Sequence, residues 1–350
     1  MRWKNRPAGS NWGEFGPDDQ RGRMNLVTRE KVLQGVAEVK EGIAFPLSLP
    51  LDYPGGAALN PRRSPPRLAA TLRDAGPNRG RQNFCYPLAE DNPDHSDVVC
   101  DDQALLALQY STQWDSFAHV GGLFDADGDG RREVVFYNGF RGGEHVLPSP
   151  GRQGAEEWAR YEGTEARALG IHNLAEHGAQ GRGVLLDLHA HFGRSRKAIG
   201  YDDLMRVMQK DAVRVERGDM LCLYTGFADV ILELKKNPDP KLLHGTCSGL
   251  DGRDEQLLQW ITDSGLACLI ADNYAVELIP ASLSKPAPSA LMPLHEHCLF
   301  KNGIHLGELW YLSALARWLR EHRRNRFLLT APPLRLPGAV GSPATPIATV

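Results

Sequence analysis

Three observations predict an α/β fold. Short runs rich in Val, Leu, Ile, Cys and Tyr, bounded by Gly or Asp, recur at residues 133–137, 183–187, 220–225 and 267–272 and read as buried strands. Apolar residues at three- and four-residue spacing mark helices at 28–39, 202–213, 253–262 and 307–320, so the two kinds of element alternate. The chain is 350 residues long, with 42% hydrophobic and 24% charged residues, which suits a soluble globular protein with a substantial core. Residues 1–350 read as a single domain.

In chain order, the first helix opens on Thr28-Arg-Glu-Lys, a hydroxyl ahead of the first turn and an acid inside it. Residues 51–84 then gather Pro54-Gly-Gly, Pro61-Arg-Arg-Ser-Pro-Pro and Gly76-Pro-Asn-Arg-Gly, the composition of a long irregular arm or loop. In a compact domain such a length serves as a lid, an arm or a subunit contact, and it suits a symmetric homo-oligomer, a dimer or tetramer. Asp202 suits a helix start. The tail at 332–346 is extended, and its interleaved apolar residues point to packing rather than disorder.

Charge and composition exclude several classes. Forty Lys+Arg against 43 Asp+Glu leaves a net charge of −3, which gives no basis for nucleic-acid or polybasic-lipid binding. The longest apolar stretches are too short to span a bilayer, and no apolar run follows the basic start, so the expected location is cytoplasmic. Six scattered cysteines with no Cys-x-x-Cys pair read as reduced, mostly buried thiols. There is no Gly-x-Ser-x-Gly elbow and no Gly-x-Gly-x-x-Gly opening a helix, so neither a serine nucleophile nor a nicotinamide site has an anchor.

The chemistry concentrates in Leu108-Gln-Tyr-Ser-Thr-Gln-Trp-Asp-Ser-Phe-Ala-His-Val. Gln109, Gln113, Asp115 and His119 place four ligands or proton carriers within eleven residues. On a strand Gln113 and Asp115 share a face, and a bend at either end brings in Gln109 and His119. Such convergence is what a metal needs, with charge from Asp, nitrogen from His and a neutral oxygen from Gln. A polar strand edge with a satisfied histidine is the other reading of the same spacing.

This segment resembles the metal-binding signature of the cyclase family of metal-dependent hydrolases, His-x-Gly-Thr-His-x-Asp-x-Pro-x-His, the family of bacterial kynurenine formamidase and isatin hydrolase. Asp115 and His119 match it in identity and place, while Gln109 and Gln113 stand where two histidines would be. The Gln-x-x-x-Gln-x-Asp form resembles the longer branch that includes zinc-dependent trans-dienelactone hydrolase. Further likenesses lie in Ser10-Asn-Trp-Gly-Glu-Phe-Gly, Tyr137-Asn-Gly-Phe, Gly218-Asp-Met-Leu-Cys-Leu-Tyr-Thr-Gly, Ala271-Asp-Asn-Tyr-Ala-Val-Glu, Leu294-His295 and Gly307-Glu308-Leu-Trp. The resemblance implies a mixed sheet in a swivelling β/β/α architecture. It implies metal ligands at Gln109, Gln113 and Asp115, completed or extended by His295 and Glu308, with His119 as the catalytic proton carrier. It implies Zn²⁺. Amide oxygens in place of imidazoles harden the site and bring in Mn²⁺ as the alternative.

The expected reaction is hydrolysis of a lactone, cyclic amide or N-acyl bond in a small molecule, with arylformamidase activity or metal and ligand binding without catalysis as alternatives. Trp12, Trp114 and Phe117 are candidates for an apolar wall against the substrate, or for core packing. Asp125-Ala-Asp-Gly-Asp-Gly130 matches the first half of a calcium loop but has Phe136 where a bidentate Glu belongs, so an acidic turn competes with a structural Ca²⁺ at 125–133. His189 and His191, on a strand, would share a side, as a second metal position or a hydrogen-bonded pair. His297 shares the ambiguity of His295. His305 and His322 read as helix-surface residues.

Overall fold

The computed structural model describes residues 1–148, 163–281 and 289–350. Within those residues the main sheet has nine strands: β1 (Ala44–Pro46), β2 (Gln113–Asp115), β3 (Gln180–Asp187), β4 (Met220–Tyr224), β5 (Cys268–Ala271), β6 (His305–Glu308), β7 (Arg326–Thr330), β8 (Gly341–Pro343) and β9 (Ile347–Thr349). Their spatial order is β1-β9-β7-β3-β4-β5-β6-β2-β8. The four from β3 to β6 run parallel, and the other pairings are antiparallel. The predicted α/β fold with a mixed sheet is therefore the observed one.

Residues 344–346 alone separate β8, at one end of this sheet, from β9, next to the other end. The sheet can meet that constraint only by curling until its ends approach. The Ala344 N–H donates to Thr112, beside β2, while the Leu47 N–H, beside β1, donates to Pro346.

Both faces of the central strands are covered, which is why their sequences are continuous apolar runs. Val184, Leu186, Leu221, Leu223 and Leu269 enter one core, and Leu185, Met220, Cys222, Cys268 and Ile270 enter the other, following the two-residue alternation of a strand. The first core is closed by Leu204 and Val207 of the helix Tyr201–Lys210 and by Leu257 and Ile261 of Glu255–Ser264. The second is closed by Leu315, Ala316 and Leu319 of Ser313–Glu321. The helix Arg29–Val36 is capped by the Thr28 hydroxyl, which accepts from the Lys31 N–H. Its Gly35 lies directly on the backbone of Gly181, where a Cβ would come within 2.8 Å. Lys31 also reaches the buried Asp219 at 3.1 Å, which Arg182 grips with two bonds of 2.8 and 2.9 Å.

Several expectations need correction. The helix predicted at 307–320 begins only at Ser313, because Gly307 and Glu308 close strand β6. A strand buried on both faces carries no periodicity of its own, so it merged with the helix beyond it. The predicted strand at 133–137 is shorter, Glu133–Val135, and pairs with Gly122–Phe124 in a hairpin outside the main sheet. His189 and His191 lie on a short helix, Leu188–Phe192, rather than on a strand. There they part: His189 packs against Tyr224, while His191 bonds Asp211 at 2.8 Å.

The arm is longer and more regular than its composition suggested. Arg67–Ala70 pairs with Asp102–Leu105 and Tyr86–Pro87 pairs with Val98–Val99, so a thin β-ribbon returns to the body just ahead of the site. Leu68, Leu72, Phe84, Val98 and Leu105 on it are exposed. Among the described residues no helix is long and apolar enough to cross a membrane.

Candidate metal centre

Strand β2 carries the site. Glu308 on β6 stands opposite Gln113, and Gly341 on β8 stands opposite Asp115. Trp114 turns into the second core, where it packs edge-on to Trp310 with ring centroids 5.1 Å apart and donates its indole N–H to the Ala331 carbonyl at 2.7 Å. By strand alternation Gln113, Asp115 and Glu308 then all point to the opposite face. The chain bends at both ends of β2, through Tyr110 N–H to Ala107 and His119 N–H to Ser116, and these turns bring Gln109 and His119 to that same face.

His295 arrives from a separate element, the single turn Pro293–His295, and is 2% exposed. Its Nε2 lies 3.1 Å from Glu308 Oε1 and 4.0 Å from Asp115 Oδ2. Its Nδ1 bonds Glu277 at 2.8 Å, and the same carboxylate accepts the backbone N–H groups of Leu294 and His295. Burial works against a charge on this imidazole, but Glu277 and Glu308 outweigh it and hold the pKa up at about 10. Burial and the nearby Asp115 push the Glu308 carboxyl up.

The coordinating atoms of Asp115, His295 and Glu308 all lie within 4.8 Å of one another. Gln113 donates its amide N–H to Glu308 at 2.8 Å, leaving its Oε1 buried and unpartnered. Asp115 Oδ2 is likewise buried without a hydrogen bond. Each such orphan costs about 1–3 kcal/mol, unless something in the pocket satisfies it. Two orphaned oxygens, a second carboxylate and an imidazole nitrogen fit a divalent cation, and a cation on His295 Nε2 would take the place of its proton.

Gln109 has a different posture. Its amide nitrogen bonds both Asp115 and, at 2.9 Å, His119 Nδ1, so it ties the carboxylate to the histidine. The Gln109 backbone carbonyl accepts from Arg63, at the root of the arm, at 2.7 Å. His119 sits at the rim, its Nε2 3.9 Å from Asp115 Oδ2, and burial lowers its pKa below the ordinary imidazole value. A cavity of about 570 Å³ runs past Val120, Met292 and Pro293, and Gln109, Gln113, Asp115, His119, His295 and Glu308 are not among the residues that line it.

The three aromatic candidates do not form a wall. Trp12, Trp114 and Phe117 are at most 1% exposed. Trp12 packs edge-on to Trp3, Phe124 and Phe300 and donates to the Phe300 carbonyl, and Phe117 stacks on His305 at 4.0 Å. Trp114→Ala is accordingly expected to cost about 3–5 kcal/mol of stability in a denaturant titration. A wall residue would leave the midpoint near that of the parent.

His305 is no helix-surface residue either. It lies in β6, is 1% exposed, and donates from Nδ1 to the Asp115 carbonyl at 2.9 Å, while burial lowers its pKa to about 4. Glu277, which grips His295, was not among the expected site residues, although the Ala271-Asp-Asn-Tyr-Ala-Val-Glu block ends on it. The rest of that block is architectural, since Asp272 accepts from the Thr225 hydroxyl and from the N–H groups of Thr225, Gly226 and Phe227. His297 turns away from the centre to Thr262 at 3.0 Å. Asp125, Asp127 and Asp129 converge at the tip of the outer hairpin, where Asp125 accepts the N–H groups of Gly128, Asp129 and Gly130.

The family model for cyclases matches residues 47–278, well over half of the chain. The chain belongs to the cyclase family. A crystal structure described as a novel cyclase is similar over 97% of both chains, at 29% identity and a TM-score of 0.71. Isatin hydrolase A from Ralstonia solanacearum shares the fold, at 12% identity over 92% of this chain and 97% of that one, with a TM-score of 0.51. Isatin hydrolase A from Labrenzia aggregata, bound to benzyl benzoate, is similar at 12% identity over 92% and 98%, also with a TM-score of 0.51. No curated protein matches the chain. The match to the cyclase model ends before His295 and Glu308, so their place in the candidate site rests on the geometry above.

Proposed function

We propose that this cyclase-family protein is a metal-dependent hydrolase of a lactone, cyclic amide or N-acyl bond. The observation that carries the reading is the pair of orphaned oxygens, Asp115 Oδ2 in the cluster with His295 and Glu308, and Gln113 Oε1 on the side chain that bonds Glu308. A divalent cation held by Gln113, Asp115, His295 and Glu308, Zn²⁺ or the harder Mn²⁺, supplies Lewis acidity to a carbonyl and lowers the pKa of a bound water. Asp115 and Glu308 offset its charge, and Glu277 fixes the His295 ring so that Nε2 faces inward.

His119 is the proton carrier at the rim. To accept and return a proton at Nε2 it must carry its other proton on Nδ1, which requires the Gln109 carbonyl oxygen against Nδ1. In the structure the Gln109 amide nitrogen occupies that place and also serves Asp115. Half a turn of the Gln109 side-chain amide would present its oxygen to Nδ1 and set His119 for proton transfer, at the expense of the bond to Asp115 Oδ1. Gln109 thus acts as a positioning residue. Gln109→Ala is expected to leave metal content near that of the parent while kcat falls about 10–100-fold, within the range for a displaced proton carrier. Loss of metal in that variant would make Gln109 a ligand instead. Gly341→Ala should reproduce the kinetic defect, because a Cβ there would lie 2.5 Å from the Gln109 side chain.

The reading is tested by elemental analysis of protein purified without chelator, followed by turnover assays on cyclic amides, lactones and N-formyl arylamines. Stoichiometric metal with hydrolysis of at least one class supports it. Metal without turnover on any of them would assign binding alone, and no metal after supply of Zn²⁺ or Mn²⁺ would remove the site. Glu277→Gln, which keeps the shape but weakens the grip on His295, should reduce metal affinity about 10–100-fold in a chelator competition.

A further inference from the structure

Two of the six cysteines do not fit the expectation of buried thiols. Cys85 and Cys100 are exposed, and they stand opposite one another in the arm. The pairing of Tyr86 with Val99 and Pro87 with Val98 carries residue 85 across from residue 100. On the other side the Asp101 N–H donates to the Asn83 carbonyl at 2.8 Å, so backbone hydrogen bonds bracket the pair. Cys85 adopts a left-handed backbone, φ 49°, a conformation that L-residues take only at a cost. Its N–H donates to Cys100 Sγ at 3.1 Å, and the two sulfurs lie 3.9 Å apart.

That placement is near what a disulfide needs. Directly opposed strand residues hold their Cβ atoms about 4.5–5.5 Å apart, close to the roughly 3.5–4.5 Å that a disulfide spans, so side-chain rotation with a small closing of the ribbon suffices. The other four cysteines are buried, and burial pushes each of their thiols up and out of reach of solvent reagents. A thiol open to solvent reagents on this molecule therefore means Cys85 or Cys100.

We propose that Cys85 and Cys100 form a reversible dithiol–disulfide couple, a modification site whose co-reactant is a small-molecule disulfide such as oxidised glutathione. One cysteine thiolate attacks the glutathione disulfide, breaking its S–S bond and releasing one glutathione as a thiol. The second cysteine then attacks the mixed disulfide, forms the Cys85–Cys100 bond and releases the second glutathione. The chain is oxidised by two electrons, the glutathione disulfide is reduced by two, and the two cysteine protons leave on the two glutathione thiols. The new bond closes residues 85–100 into a ring and staples the outer half of the ribbon.

The test uses the full-length protein, reduced, freed of reductant and incubated with oxidised glutathione. The sample is quenched in acid, its remaining thiols are alkylated, and the peptides are mapped by mass spectrometry. The expected result is one Cys85–Cys100 disulfide per chain with no glutathione retained, reversed by dithiothreitol. Cys100→Ser should instead hold a single glutathione on Cys85, and Cys85→Ser a single glutathione on Cys100. Both thiols still free in the parent protein, a glutathione retained on each, or cross-links between chains in place of the internal bond would each overturn the proposal.

Discussion

Asp115→Ala is expected to emerge from purification without tightly held divalent metal and with turnover at background. Asp115 is fully buried, and it offers the one carboxylate oxygen of the cluster without a hydrogen bond of its own. Its loss leaves Gln113, His295 and Glu308 to hold a divalent charge with one carboxylate fewer, and it deprives the Gln109 amide of an acceptor. The fold should survive, because β2 is anchored by groups the substitution does not touch. Trp114 donates to Ala331 and the Trp310 indole donates to the Gln113 carbonyl at 3.2 Å. The measurement is metal stoichiometry alongside a denaturant titration. Metal retained at the parent level in a folded Asp115→Ala protein would show that the cation is held elsewhere.

His119→Ala should separate from it. His119 lies at the rim, its nearest approach to Asp115 Oδ2 is 3.9 Å, and it is tied to the site through Gln109. Removing the ring should leave the metal in place and lower kcat by about 10²–10⁴-fold, the usual worth of a general acid–base group. Side-by-side elemental analysis and rates on one responsive substrate decide it. Equal metal loss in the two variants would make His119 a ligand, and unchanged rates in both would remove the whole site from the reaction.

The parts of this site that were legible in the sequence share one property: they lie in a single short segment. Gln113 and Asp115 share a face because a strand alternates, and that inference needs no tertiary information. Glu308 and His295 sit far along the chain, and only likeness to a family pointed to them. Their approach depends on the order of strands in the sheet, which local patterns do not encode. Glu277 and His305 escaped for the same reason. His305 was assigned to a helix surface because a strand covered on both faces has no polar stripe to betray it. Aromatic residues misled in the opposite direction: Trp114 and Phe117 flank the ligands in sequence, yet alternation and the first bend send them into the two cores. The exposed thiols were missed because a spacing of fifteen residues looks like scatter until a ribbon folds it back on itself.

The order of the strands also sets when this centre can exist in the life of a chain. The segment carrying Gln113 and Asp115 leaves the ribosome early, yet its two partners in the sheet are residues 305–308 and 341–343. A nascent chain therefore holds Gln113 and Asp115 without their partner strands until residues 305–308 and 341–343 have been made. Residues 341–349 then supply one edge strand of the sheet and the strand next to its other edge. Emergence of residues 341–349 is thus the event that closes the sheet, and a chain cut before residue 341 would lack β8 and β9 and have no finished pocket.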